Sequence, residues 1–535
     1  KLLPPRMGLL AYVADAYVQG RVEDVVLLPM AIAYDQLHEV RDYAREAQGG
    51  RKQRENLTWM LNYLRAQRAN FGRISVRFGE PVSMRTSLGP PPPVTGGMGR
   101  PDKLALQKMA FEVSVRINRV TPINAISLVA FTLLGAGGRA LTIDQVATAL
   151  EEPLAYARER GLPLAESAAR LPGRVALRSA LDELRRHRVL TVYDEGPEPV
   201  YVIQADDRLA AAFYRNSILH FFLLSAIGEL ALMRAAAATD DKLGVFWYEA
   251  ARLRDLLKFD FFFSERDQFN EELGAEMGRH DPRWEEQVVA GGEVARSLLG
   301  TFRPLCSHSA IRPFVEAYLV VADVLAEWPE GEAVEQGAVV EHSLGRGRQY
   351  LLQRLLHCPE SVSQLLFATG FQLAANRGLV RERAEKGGDG GAGGVGGAGG
   401  VGGAGGDRGA ATPRLREARR AFSAELRAVL AATDVVESMA ATAFTQRVGP
   451  VTPPAMFAAY AAGLGETEDR ATGPERLGTA GHREVDALVG GGGNPATATM
   501  GEPGEEGHRD DRGRRSPAAG GNGVEATLEG QTGPG

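Results

Sequence analysis

Nine histidines and two cysteines are the side chains of this 535-residue sequence best suited to general-base or nucleophilic work. A histidine base needs a carboxylate to hold its tautomer, and the local spacings that supply one are missing. There is no His-Glu-x-x-His, and no histidine has Asp five positions on: Tyr43, Ser225 and Pro313 stand at that distance from His38, His220 and His308. No Gly-x-Ser-x-Gly elbow occurs either. Cys358 beside His357 could join a thiol to a base, but adjacent side chains on a helix diverge, and a plain buried cysteine fits better. Without a Cys-x-x-Cys pair, Cys306 and Cys358 indicate neither a disulfide framework nor structural zinc, and a reducing cytosol suits them. No catalytic residue and no metal ligand emerges from spacing alone.

The elements that would position any site fall into two regions. Residues 1–89 mix helix and strand: residues 9–19 have helical spacing, residues 25–33 form the near-continuous apolar run of a strand buried on both faces, and residues 56–70 are helical again. In "GRISVRFGEPV", Ile74, Val76 and Phe78 alternate with polar residues as in a strand. This order predicts part of an α/β domain. The tract "LGPPPPVTGGMGRPDK" then interrupts all periodicity, because consecutive prolines fit neither a helix interior nor a central strand.

Residues 104–383 read as a mostly α-helical domain. The apolar stretches at 123–138 and 218–233 are interrupted by Asn, His or Glu and predict buried helices; no uninterrupted run of about 18 apolar residues is present, the length a spanning helix needs. Within this region Leu177, Leu181 and Leu184 share a helical face, and "VLTVYDEGPEPVYVI" follows as a hairpin turning at Gly196 and Pro197, so the outline is winged-helix-like. Arg178, Arg185, Arg186 and Arg188 give it a basic face, yet nothing extends that patch to groove length, and a packing module without nucleic acid is expected. Tyr214, Arg215, Asn216 and His220 lie at helical spacing and predict a core hydrogen-bond network. Phe213, Phe221, Phe222, Phe259, Phe261, Phe262 and Phe263 are expected in the core or against lipid. Residues 384–412 are a Gly-rich linker by composition, residues 413–464 hold a helical segment (413–433, extending as far as 444), and residues 465–535 have too little apolar content to order themselves.

Net charge is −6, so electrostatic attraction has to be read locally. Residues 1–85 carry thirteen Lys and Arg against nine Asp and Glu, a surplus suited to anionic substrates and an anionic membrane surface, or else a solvated helix face.

The block "VVLLPMAIAYDQLHEVRDYAREAQGGRKQRENLTWMLNYLRAQRANFGRISVRFGEPV" resembles the large bacterial and mitochondrial glycerol-3-phosphate acyltransferases. In that family an apolar strand ends in proline, continues into Tyr-Asp/Glu-x-x-x-Glu, and is followed by a basic helix start and a closing Phe-Gly-Glu-Pro. "KLLPPRMGLL" is similar to the stretch after the family's Gly-Arg-Ser-Arg-x-Gly motif, and "AAAFYRNSILHFFLLSAIGELAL" and "LRDLLKFDFFFSERDQFNEELGAEM" to its helical C-terminal region, so the likeness covers about residues 1–380. The resemblance implies that the His-x-x-x-x-Asp motif precedes Lys1, and that the chain as given lacks its general base and is inactive alone. It implies substrate-contacting roles for Lys1 and Arg6, pocket shaping by Pro29, and loop-orienting roles for Tyr34 and Glu39. The implied substrates are glycerol 3-phosphate and acyl-CoA or acyl-carrier protein, with no cofactor, at the cytoplasmic face of the cell membrane as a peripheral protein. The alternative is a non-catalytic truncated relative serving as a membrane- or partner-docking scaffold.

Overall fold

The computed structural model describes residues 5–34, 40–50, 73–90, 102–329, 334–380 and 413–449. The chain divides into residues 1–470 and 471–535, and all described residues lie in the first unit. The expected helix at 56–70, the linker at 384–412 and the tail at 465–535 fall outside the described residues.

The first part runs α1 (Gly8–Val18), β1 (Val26–Leu27), β2 (Met30–Tyr34), α2 (Val40–Ala47), β3 (Ile74–Phe78), β4 (Val82–Ser83) and α3 (Met84–Leu88). Pro29 has no N–H to give to a ladder, so the apolar run at 25–33 breaks there instead of forming one strand. β1 pairs antiparallel with β4, and β2 separately with β3 in the register Met30↔Phe78, Ile32↔Val76, Tyr34↔Ile74. Directly opposed residues share a face. Those six apolar side chains are between 42% and 61% exposed, so among the described residues only the Ala31 and Ala33 face is packed, where a strand buried on both faces was expected.

α1 lays Ala14 and Tyr17 on Val82 and Met84, and the cluster is completed by Leu106 and Met109 of α4 (Lys103–Arg119), which Asp102 caps. Next come α5 (Ala125–Gly135), β5 (Leu141–Thr142), α6 (Ile143–Glu159), α7 (Glu166–Ala169), α8 (Arg174–Arg186), β6 (Thr191–Tyr193) and β7 (Val200–Val202). α5 is apolar all round and accordingly buried, with Asn124 accepting from the Ser127 N–H at its start. Thr142 and Gln145 form a capping box at the head of α6. The hairpin read from sequence is β6–β7, and β5 adds a third strand in the order β5-β7-β6.

The rest is helical: α9 (Arg208–Ile218), α10 (Leu223–Ala236), α11 (Lys242–Leu257), α12 (Arg266–His280), α13 (Trp284–Ala290), α14 (Gly292–Leu299), α15 (Ser307–Ala310), α16 (Arg312–Ala326), α17 (Gln336–Leu352), α18 (Gln364–Asn376) and α19 (Pro413–Val448). α16 is buried along nearly its whole length between α17, α18 and α19. Of the seven phenylalanines expected in the core or against lipid, six are in the core: Phe222, Phe261 and Phe263 are buried, and Phe213, Phe221 and Phe259 pack against the same cluster, while Phe262 is half-buried with its ring on Phe111 outside it. α19 runs past the expected end at 444. By length and composition alone it could cross a membrane; here Phe422, Leu426, Val429 and Val436 seat it on the helical core.

Candidate functional site

The sequence-derived candidates lie around the β1–β2 turn. Pro29 O accepts from the Gly79 N–H at 2.8 Å, which ties the start of β2 to the end of β3. A Cβ on Gly79 would stand 3.3 Å from both Arg116 O and the Pro29 ring and 3.5 Å from Val120, so the turn is pressed onto the last turn of α4. Arg116 locks it there by donating to Pro81 O at 2.7 Å and Glu80 O at 3.3 Å, with its Nε on Glu112 at 2.7 Å. Before the turn, Asp24 accepts from Ser83 Oγ (2.7 Å) and from the N–H groups of Val25 and Arg85; the Ser83 bond first, then the backbone bonds, hold its carboxyl below the ordinary range. Sequence reasoning missed this clamp, which joins residues far apart in the chain.

Arg6 is exposed just before α1. Its neighbour Met7 and, on the other side, Leu27 pack on the cluster that holds α1 against β4, so Arg6 and Pro29 are carried by elements of one small core. Tyr34 lies at the far end of β2, half-exposed, its carbonyl accepting from Asn124 Nδ2 at 3.1 Å. Lys1 and Glu39 lie outside the described residues.

Behind α4 a cavity of about 400 Å³ is lined by Asn118, Arg119, His220, Phe221, Phe262 and Glu276 among others. His220 Nε2 is 2.9 Å from Asn118 O, and burial pushes its pKa down to about 4, so it is a neutral packing histidine. Arg215 is buried, with Nη1 on Glu360 at 3.0 Å and Nε on Asn216 at 3.1 Å; of the four residues expected in one core network these two are joined, while His220 bonds to Asn118 instead. Both cysteines are buried and burial first of all raises their thiols; Cys306 Sγ is also 3.3 Å from Glu229 Oε1, so neither is an activated nucleophile.

His357, Asp434 and Glu437 bring ligand atoms within 4.8 Å of one another, a spacing that could hold a metal ion. The guanidinium of Arg312 already stands among them: Nη1 is 2.8 Å from His357 Nδ1, and Nη2 is 2.5 Å from Asp434 Oδ1 and 2.9 Å from Glu437 Oε2. A fixed cation thus satisfies these groups. Arg312, Asp434 and Glu437 carried no signal in the sequence, since the cluster joins α16 to α19 across more than a hundred residues.

Residues 43–383 match the family described as the glycerol-3-phosphate acyltransferase C-terminal region. Proteins of Mycobacterium bovis and of two strains of Mycobacterium tuberculosis, provisionally named acyltransferase plsB1, are 37% identical to this chain over 383 residues, which is 71% of this chain. The chain spans 60% of the length of these relatives. With a family match over well more than half of its residues, resting on the segment that contains the Arg116 clamp, the Asn124 contact and the helical core, the chain belongs to the glycerol-3-phosphate acyltransferase C-terminal family.

Proposed function

We propose that this chain is the C-terminal portion of a glycerol-3-phosphate 1-O-acyltransferase of phospholipid biosynthesis, a peripheral protein on the cytoplasmic side of the cell membrane. The reaction moves a fatty acyl group from acyl-CoA or acyl-carrier protein to the 1-hydroxyl of glycerol 3-phosphate. A histidine outside this sequence removes the hydroxyl proton, the oxygen attacks the thioester carbonyl, and the C–S bond breaks as the thiolate leaves and takes up a proton. In this reading Lys1 and Arg6 meet substrate phosphates, Pro29 shapes the pocket, and Tyr34 and Glu39 orient its loops. The family match over residues 43–383 carries the proposal. The β5-β7-β6 sheet with α6 and α8 is read as a winged-helix-like packing module; Asp194, Glu195 and Glu198 in its hairpin loop would repel a nucleic-acid backbone.

The test compares this chain with a longer form carrying the upstream His-x-x-x-x-Asp region, following acyl transfer to glycerol 3-phosphate by mass spectrometry. The longer form should turn over, and the present chain should be slower by at least the roughly 10²–10⁴ that a general base contributes. In the longer form Arg6→Ala should raise KM for one substrate with little change in kcat. Turnover by the present chain that is abolished by changing one of its own histidines would overturn the reading.

A further inference from the structure

Leu28 and Pro29 separate β1 from β2, and Gly79, Glu80 and Pro81 separate β3 from β4, so the two ladders of the first part meet where these two crossings lie side by side. Strand pairing cannot run on through them, because Pro29 and Pro81 have no N–H to donate. The Gly79 N–H joins the crossings by its bond to Pro29 O at 2.8 Å. With so little backbone pairing available, the segment that carries Pro29 depends on side chains for its position.

Arg116 on α4 supplies the donors that the prolines withhold. Its Nη1 donates to Pro81 O at 2.7 Å and to Glu80 O at 3.3 Å, and stands 4.0 Å from Glu80 Oε2. Its Nε donates to Glu112, one helical turn back, at 2.7 Å, which orients the guanidinium plane. The last turn of α4 is itself gripped from the other side: His220 Nε2 meets Asn118 O at 2.9 Å, and Arg119 Nη2 donates to Glu272 on α12 at 3.0 Å. Two further contacts between the β2–β3 ladder and the helical region act away from the crossings, Asn124 on Tyr34 O at the far end and Arg77 on Leu164 O from the packed face, at 3.1 and 2.8 Å. Position is therefore passed from the helical core to Pro29 through Arg116 and through the bare backbone of Gly79, where a Cβ would stand 3.3 Å from both Arg116 O and the Pro29 ring.

We propose that Arg116 is a positioning residue for acyl transfer, an assignment that rests on the reading given under Proposed function. It acts through Pro29 and not on a substrate: by pressing both crossings onto α4 it keeps Pro29 in the one place where it shapes the pocket. The planar fork of arginine serves two carbonyls and a carboxylate together, which the single ammonium of lysine does not reproduce. Reacting groups tolerate little displacement, since a shift of about 1 Å caused by a change far from the chemistry can cost about a hundredfold in rate. In this assignment the helical segment matched to the family serves the reaction as a rigid backing for the turn that bears Pro29.

The test uses the longer form that carries the upstream His-x-x-x-x-Asp region, with kcat and both KM values measured well below the melting temperature and amide hydrogen exchange followed at Gly79. Arg116→Met should lower kcat about tenfold to a hundredfold while each KM stays within about threefold. It should also speed exchange of the Gly79 N–H and leave the amides of the helical core as protected as in the parent. Gly79→Ala, which pushes the crossings off α4 with every Arg116 donor in place, should lower kcat in the same way. The double variant should be no slower than the worse single one, because both changes displace the same turn. Arg116→Lys should stay close to Arg116→Met. Full activity in Arg116→Lys, multiplicative losses in the double variant, or a loss of kcat that comes with lowered protection throughout the helical core would each overturn the positioning role. If the parent turns over and neither Arg116→Met nor Gly79→Ala alters kcat, that role alone is overturned; if the parent does not turn over, the reading beneath it falls first.

Discussion

Arg160 and Glu276 meet as a bidentate pair inside the helical core, Nε to Oε2 at 2.9 Å and Nη2 to Oε1 at 2.6 Å, with their side chains 6% and 2% exposed. The guanidinium also lies 3.5 Å over the Tyr156 ring. Removing one partner leaves a largely buried charge without its bidentate counter-ion. Glu276→Ala should destabilise the chain by about 3–5 kcal/mol in urea unfolding, while the double change Arg160→Met, Glu276→Leu should recover most of that loss. A single variant as stable as the parent would show that the pair is dispensable.

The same glutamate sets an acid limb. Burial alone would raise its pKa, but His280, within 3.5 Å, and Arg160 outweigh burial and bring it down to about 2 from an ordinary 4.5. A depressed carboxyl stabilises fully above its unfolded value and loses that contribution as pH falls through the folded one. Stability of the parent should therefore drop between about pH 4.5 and 2. In Glu276→Gln that part of the acid limb should be flat.

Glu229 and Glu316 act with the opposite sign. Burial raises each to about 7, although Glu229 accepts from the N–H groups of Cys306 and Ser307, both at 2.8 Å, and Glu316 from those of His357 and Cys358. The unfolded chain ionises these groups first, near 4.5, so stability contributed by the neutral forms is lost as pH rises from there to about 7. Melting temperature should decline across that window, and Glu229→Gln should flatten its share. The variant should also lose about 1–3 kcal/mol overall, because its amide turns a donor toward a backbone N–H.

Six side chains on the β2–β3 ladder, Met30, Ile32, Tyr34, Ile74, Val76 and Phe78, leave an apolar face uncovered among the described residues. Ile32→Thr with Val76→Thr keeps strand-forming residues but removes apolar surface. This double variant should bind less of a hydrophobic dye such as ANS and stay monomeric to higher concentration in sedimentation. Unchanged dye binding would mean that the face is covered.

How far this architecture could be read from the sequence depended on the range of the interaction. Alternation at Ile74, Val76 and Phe78, the leucine spacing of α8 and the all-apolar α5 are local patterns, and each element formed as its pattern dictated. Which face of β2 would be buried was not legible, because a near-continuous apolar run marks neither face as the exposed one. β5 is only two residues long and gains its place by pairing with β7, nearly sixty residues on. The Arg312 cluster depends on where α19 crosses the start of α16, and nothing local marks such a meeting.

The residues matched to the family stop at 383, yet the helix that covers α16 begins at Pro413. Its polar side is fastened along its length, Glu425 to Arg252 and Arg377 at 2.8 Å, Arg427 to Asp323 at 2.7 Å, and Arg447 to Glu152 at 2.8 Å. The apolar residues of α16 that face α19 are thus covered by a neighbour outside the segment matched to the family. A chain cut back to that segment would expose them to water and take from Arg252, Asp323 and Arg377 the partners that α19 supplies.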